Sequence, residues 1–138
     1  MKKTIKLLTI LLTLILAFTF VGCKKNPVTV DENSVIITAD FSDYDLEGKT
    51  LLEFMEILKS EGKLDFTISD GMVNSINGVA NSANSYWMFY TDDTENSNEA
   101  WGTAEYNGKT YFSASLGVSD LPLKDGATYI IIYQTFEF

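Results

Sequence analysis

The amino-acid sequence predicts a small α+β domain, one helix packed across a mainly antiparallel or mixed sheet, and three observations carry that expectation. A single stretch, "TLLEFMEIL" closed by Gly62, has helical periodicity with both ends signalled. Everything after it alternates apolar and polar residues in short runs. Asn-Gly and Asp-Gly dipeptides, the residues that tight hairpins favour, separate those runs. A first strand, one helix and then several short strands is the order of a helix laid on a sheet.

The chain opens with Lys2, Lys3 and Lys6 ahead of an apolar run from Leu7 to Val21, the charged-then-apolar order of a secretory signal. Fifteen residues interrupted by Thr9, Thr13 and Thr19 fall short of the roughly 20 that span a bilayer. The run ends in Phe20-Val21-Gly22-Cys23, a small residue before the only cysteine in the chain. This resembles the signal of bacterial lipoproteins, with Phe20 where Leu is usual. The resemblance implies that residues 1–22 are removed, that the Cys23 thiol receives a diacylglyceryl group, and that the protein is held on the outer face of the cell membrane, as in Gram-positive bacteria. Two acyl chains anchor a protein stably where one does not, and Lys24 and Lys25 follow where anionic headgroups attract them.

Cleavage before Cys23 leaves 116 of the 138 residues, enough for one modest domain. The signal takes three of the ten basic residues and none of the 19 acids, so the net charge of −9 becomes −12. Such a surface repels nucleic acid, which needs clustered Lys and Arg. The chain has no Arg and no His. Their absence removes bidentate guanidinium clamps, His-activated nucleophiles and imidazole zinc sites. A single Cys allows no intrachain disulfide, so packing alone must hold an exported domain together.

Residues 23–34, polar and containing Pro27, read as the lipidated Cys and a tether reaching at most about 35 Å. The domain is expected over residues 35–138. "VIITADF" alternates Val35, Ile37, Ala39 and Phe41 as a half-buried strand does. In the helix, Thr50 and Glu53 form a Thr-x-x-Glu capping box, Leu51, Phe54, Met55 and Leu58 share one face, and Gly62 supplies the stop. "LDFTI" and "GMVNSI" are strands leading to a turn at Asn77-Gly78, and "SYWMFYT" is the next strand. "AEYNGKTYF" is a hairpin around Asn107-Gly108. After Asp125-Gly126 the closing "TYIIIYQTFEF" is apolar on both faces and belongs near the sheet centre.

In that order "TLLEFMEIL", "GMVNSINGV", "YWMFY" and "LKDGATYIIIY" resemble the transcobalamin-like C-terminal domain family, over roughly residues 35–138. Ser-Ile-Asn-Gly followed closely by Tyr-Trp is the most specific part. That family includes the small β-rich domain that ends the animal vitamin B12 carriers and many bacterial surface lipoproteins. The resemblance implies a β-grasp-like fold and contact with cobalamin or a related corrinoid, bound as a ligand and not as a required cofactor. The segment between Thr91 and Asp120 is longer than the family's usual return, and Ala127 stands where an acid is common.

Family position marks Ser75, Ile76 and Asn77 as contact candidates. Alternation sends Trp87 and Phe89 to one side of their strand and Tyr86, Met88 and Tyr90 to the other. One set belongs to the core; an uncovered set would be a binding platform, unless the segment carrying Trp101 covers it. The expected ligand contacts are Ile76, Trp87, Tyr90 and Trp101, with Ser75 and Asn77 orienting. Turn chemistry alone also accounts for Asn77. Neither "DYDLEG" (43–48) nor "DDTENSNE" (92–99) completes a calcium loop, since position twelve from Asp43 is Phe54 and the second stretch lacks the Gly at position six. No metal site is expected, and nothing selects a catalytic pair of carboxylates, so no enzyme is expected.

The functional expectation is a membrane-anchored, noncovalent ligand-binding lipoprotein that captures a corrinoid for uptake. A helical carrier-like subunit or a transporter component would complete the pocket. The alternative is a cell-surface protein-protein interaction or adhesion module that uses an exposed strand edge and has no small-molecule ligand.

Overall fold

The structure, a computed structural model, describes residues 25–138. The proposed signal and the lipidation site Cys23 lie outside the described residues. The elements are β1 (Val28–Val30), β2 (Ser34–Thr38), α1 (Leu51–Ser60), β3 (Phe66–Ser69), β4 (Met72–Ile76), β5 (Val79–Ala80), β6 (Ser85–Thr91), β7 (Ser97–Tyr106), β8 (Lys109–Ala114) and β9 (Thr128–Thr135). Six strands form one antiparallel sheet in the order β1-β2-β9-β6-β8-β7, and β3-β4-β5 form a second antiparallel sheet.

Among the described residues the fold is therefore β-rich, with two antiparallel sheets and one short helix, and not the α+β, β-grasp-like arrangement expected from the sequence. Helix length explains the correction. The ten residues of α1 extend only about 15 Å, whereas six strands span about 24 Å. Part of the sheet is left for something else to cover, and the second sheet does so through Phe66, Val73 and Ile76. These meet Val35, Ile37, Trp87, Tyr129 and Ile131 of the large sheet and Leu51, Phe54, Met55 and Leu58 of the helix in one core.

Local chemistry fixes the element ends. The Thr50 hydroxyl accepts from the Glu53 N–H at 3.4 Å while the Glu53 carboxylate accepts from the Thr50 N–H at 2.8 Å, which completes the capping box. Three hairpins share one solution: Asp70-Gly71, Asn77-Gly78 and Asn107-Gly108 each hold two consecutive residues at positive φ, as type I′ turns require. The first of the three was not read as a turn from the sequence. β9 lies at the sheet centre between β2 and β6, with Ile130 and Ile131 buried on opposite faces.

The sheet begins earlier than the sequence suggested. Val28 is buried, and the Thr38 N–H donates to the Pro27 carbonyl at 2.9 Å. Residues 28–30, inside the stretch read as tether, are thus an edge strand. Three residues beside a proline are too short for alternation to show.

Tyr129 ties the loop after β8 to this core. Its hydroxyl accepts from the Lys124 N–H at 3.0 Å, and it is 1% exposed. Burial first, then the nearby Asp93 and Asp92 carboxylates, push its pKa from 10.0 up to about 12. The folded state thus keeps a proton that the unfolded chain releases above pH 10. The contribution of Tyr129 to stability should be fully present below that pH and be lost between pH 10 and about 12, at most about 3 kcal/mol. Denaturant midpoints across this range should show the decline for the parent and a shallower one for Tyr129→Phe.

Candidate functional site beside strand β6

Strand β6 is paired with β9 along its whole length but with β8 only at Tyr90 and Thr91. Beyond Ala114 the chain leaves the sheet and turns at Gly117, whose carbonyl accepts from the Asp120 and Leu121 N–H groups at 3.0 and 2.9 Å. The departure opens a cleft of about 190 Å³ between the start of β4 (Gly71, Met72, Val73), β6 and Gly117-Val118. A shallower depression of about 260 Å³ adjoins it along residues 113–117. Trp87, Met88, Phe89 and Gly117 line both, so the two form one continuous groove.

The groove floor is built by Asn81. Its side-chain carbonyl accepts from the Trp87 N–H at 3.0 Å, and its amide donates to the Val73 carbonyl at 2.8 Å. One carboxamide thus serves as a peptide group between the two sheets, satisfying backbone groups that would otherwise lack partners. Trp87 is 6% exposed, donates its indole N–H to the Val79 carbonyl at 2.8 Å, and packs on Tyr133 at 5.1 Å between centroids. It is a core residue that also borders the groove.

No charged side chain lines either part of the groove, although the chain carries a net charge of −9. Met72 and Leu116, exposed to 66% and 44%, stand at its sides. Acidic groups gather elsewhere, where Asp92, Asp93 and Asp125 border a depression with Lys124. Their oxygens hold loops: Asp93 accepts from the Glu95 N–H at 3.1 Å and the Asn96 amide at 2.7 Å, and Asp92 from the Thr128 N–H at 2.8 Å. Among the described residues, no three Cys, Asp or Glu side chains converge to hold a metal ion.

Of the six expected contact residues, only Trp87 borders the groove. Ile76 is fully buried in the core. Ser75 is half-buried, its hydroxyl 2.7 Å from that of Thr67 across the β3–β4 pair. Asn77 sits in the turn, exchanging bonds with the Asp65 backbone at 2.8 and 3.0 Å. Tyr90 belongs to the opposite sheet face with Ile36, Ala104, Tyr111 and Ile130. It donates to Gln134 at 2.6 Å, and the bulged part of β7 crosses it: a Cβ at Gly102 would stand 3.9 Å from its ring. Trp101 on that strand is 64% exposed and away from the groove. Phe89, read from alternation as sharing a face with Trp87, borders the groove too, whereas sequence reasoning missed Met72, Leu116 and Val118. Their one available signal was apolar side chains beside Gly71 and Gly117 in otherwise polar connections.

Fold and site together define a small β-rich domain of two antiparallel sheets, with an uncharged groove where strands of the two sheets meet. Residues 48–135 match the family described as a domain of unknown function, DUF4430, and the chain belongs to that family. No curated protein and no solved structure matches the chain significantly.

Proposed function

We propose that this is an extracytoplasmic, lipid-anchored, noncovalent ligand-binding domain whose binding surface is the groove beside β6. The observation that carries the reading is the concentration of apolar surface there. Met72 and Leu116, two of the few large apolar side chains left exposed, both line an uncharged groove on an acidic protein. Contiguous exposed apolar surface of this kind marks binding sites. The anchor is Cys23, and the transcobalamin-like pattern of residues 35–138 makes a corrinoid the leading ligand.

Shape bears on mechanism. The groove is open along one side, a cleft of about 190 Å³ running into a shallower depression of about 260 Å³, whereas a closed pocket buries most of its ligand's surface. The domain therefore supplies one wall, and a helical carrier-like subunit or a transporter component supplies the other. Ligand is held by apolar contact with Met72, Phe89 and Leu116 over Trp87.

The test uses Trp101→Phe, which leaves Trp87 as the only tryptophan reporter. Cobinamide and cobalamin should quench its emission saturably, with matching heats by calorimetry, and Met72→Glu or Leu116→Glu should weaken binding at least tenfold. Absence of saturable quenching and heat with both corrinoids, alone and with an adjacent-gene carrier subunit, overturns the corrinoid reading.

A second reading, protein-protein interaction or adhesion, is favoured by β7, the edge strand opposite β1 in the large sheet and the bearer of Trp101. An edge strand can accept another strand. Its register shifts between Asn98 and Thr103, so the regular stretch is Thr103–Tyr106. Four residues make a short template, and the groove is the better supported surface.

A further inference from the structure

The way the chain enters its first strand bears on how an anchored domain must stand on the membrane. Lys25, Asn26 and Pro27 lie against Thr38, Asp40, Asp43 and Tyr44, lining a depression of about 160 Å³ with them. The Thr38 N–H holds the Pro27 carbonyl, and β1 starts at Val28. Only three residues lie between Cys23 and Pro27, four residue steps with a reach of at most about 14 Å. The 35 Å tether expected from the sequence does not exist as free chain.

We propose that the domain is seated directly on the bilayer in one orientation, with the loop after β2 (residues 39–45) and the turn before β9 (residues 124–127) toward the headgroups. This rests on acylation of Cys23, as in the function proposed above. Register fixes the geometry. Val28 pairs with Ile37, Ile37 with Tyr129, and Tyr129 with Thr91, so these four mark one level of the sheet. The 39–45 loop and the 124–127 turn lie at this end, joined by bonds between Ala39 and both Gly126 and Ala127 and from the Phe41 N–H to Asp125. Trp87 is four residues along β6 from Thr91, and Ser85 six. At about 3.3 Å per residue they stand about 13 and 20 Å farther from the membrane.

The groove therefore lies within about 30 Å of the headgroups, within reach of the extracytoplasmic part of another protein of the same membrane. Asp40, Asp43, Asp45 and Asp125 outnumber Lys25 and Lys124 at the seated end, so its folded surface carries no net attraction for anionic lipid. The acyl chains, and not this surface, hold it down.

The experiment uses the full-length acylated protein on vesicles of phosphatidylcholine and phosphatidylglycerol carrying a headgroup nitroxide. A fluorophore is placed at Ser42→Cys, near the seated end, or at Ala83→Cys, near the far end; both positions are exposed. The Ser42 label should be quenched severalfold more than the Ala83 label. A long Gly/Ser insert between Lys24 and Lys25 should erase the difference. Equal quenching in the parent, or a difference that survives the insert, overturns the seated orientation while leaving the anchor intact. Failure of the protein to float with the vesicles overturns the anchor and the seat together.

Discussion

Trp87→Ala should lower the unfolding free energy by about 3–5 kcal/mol, a third or more of the roughly 5–15 kcal/mol that holds such a domain. The indole is 6% exposed, touches Tyr133, and donates to the Val79 carbonyl. Removing it leaves a cavity beneath the groove and a carbonyl with one partner fewer. Trp87→Phe keeps most of the volume and loses the bond, for an expected cost of about 1–3 kcal/mol. Trp101→Ala is the internal comparison. At 64% exposure its removal should change stability by no more than about 0.5 kcal/mol. Urea midpoints of the three variants check the order. A Trp101 variant as costly as Trp87→Ala would mean that the β7 bulge packs its aromatic inward.

The same residue shows what the sequence made legible. Alternation separated Trp87 and Phe89 from Tyr86, Met88 and Tyr90, and the two sets do fall on opposite faces: Trp87 and Phe89 on the inner core, Met88 and Tyr90 with the outer cluster. Side-chain period along a strand is a local property, as are the Thr50 cap and the Asn-Gly turns, and each could be read from a few adjacent residues. Strand pairing is not local. That β8 leaves β6 after Tyr90 and Thr91 depends on a turn at Gly117 and on contacts made by Val118 with the helix end, and no periodicity records it. The groove was invisible for that reason. The role of Asn81 is equally non-local, since it depends on two backbone groups, one from each sheet, being brought within 3 Å of one side chain. The fold class failed for a related reason. A well-signalled helix drew attention to itself, while the second sheet that shares its task is made of strands of two to five residues.

Ile76→Ala should cost about 2–5 kcal/mol, and this result separates packing from ligand contact at the segment most characteristic of the sequence. Ile76 has no exposed surface and lies in the core shared by the two sheets and the helix. Its neighbour Ser75, half-buried and paired with Thr67 through hydroxyls, should lose about 0.5–1.5 kcal/mol on replacement by Ala. Asn77 combines a φ of 47° with two bonds to the Asp65 backbone. Asn77→Gly should therefore retain the turn and lose only the side-chain bond, whereas Asn77→Val should cost more because β-branched residues resist positive φ. Within Ser-Ile-Asn-Gly, stability should thus track burial and backbone geometry, largest at Ile76. Any corrinoid affinity measured on the same variants should fall only as far as the fold does. An Ile76→Ala domain of unchanged stability that had lost its ligand would restore the segment as a contact surface and displace the groove beside β6 as the site.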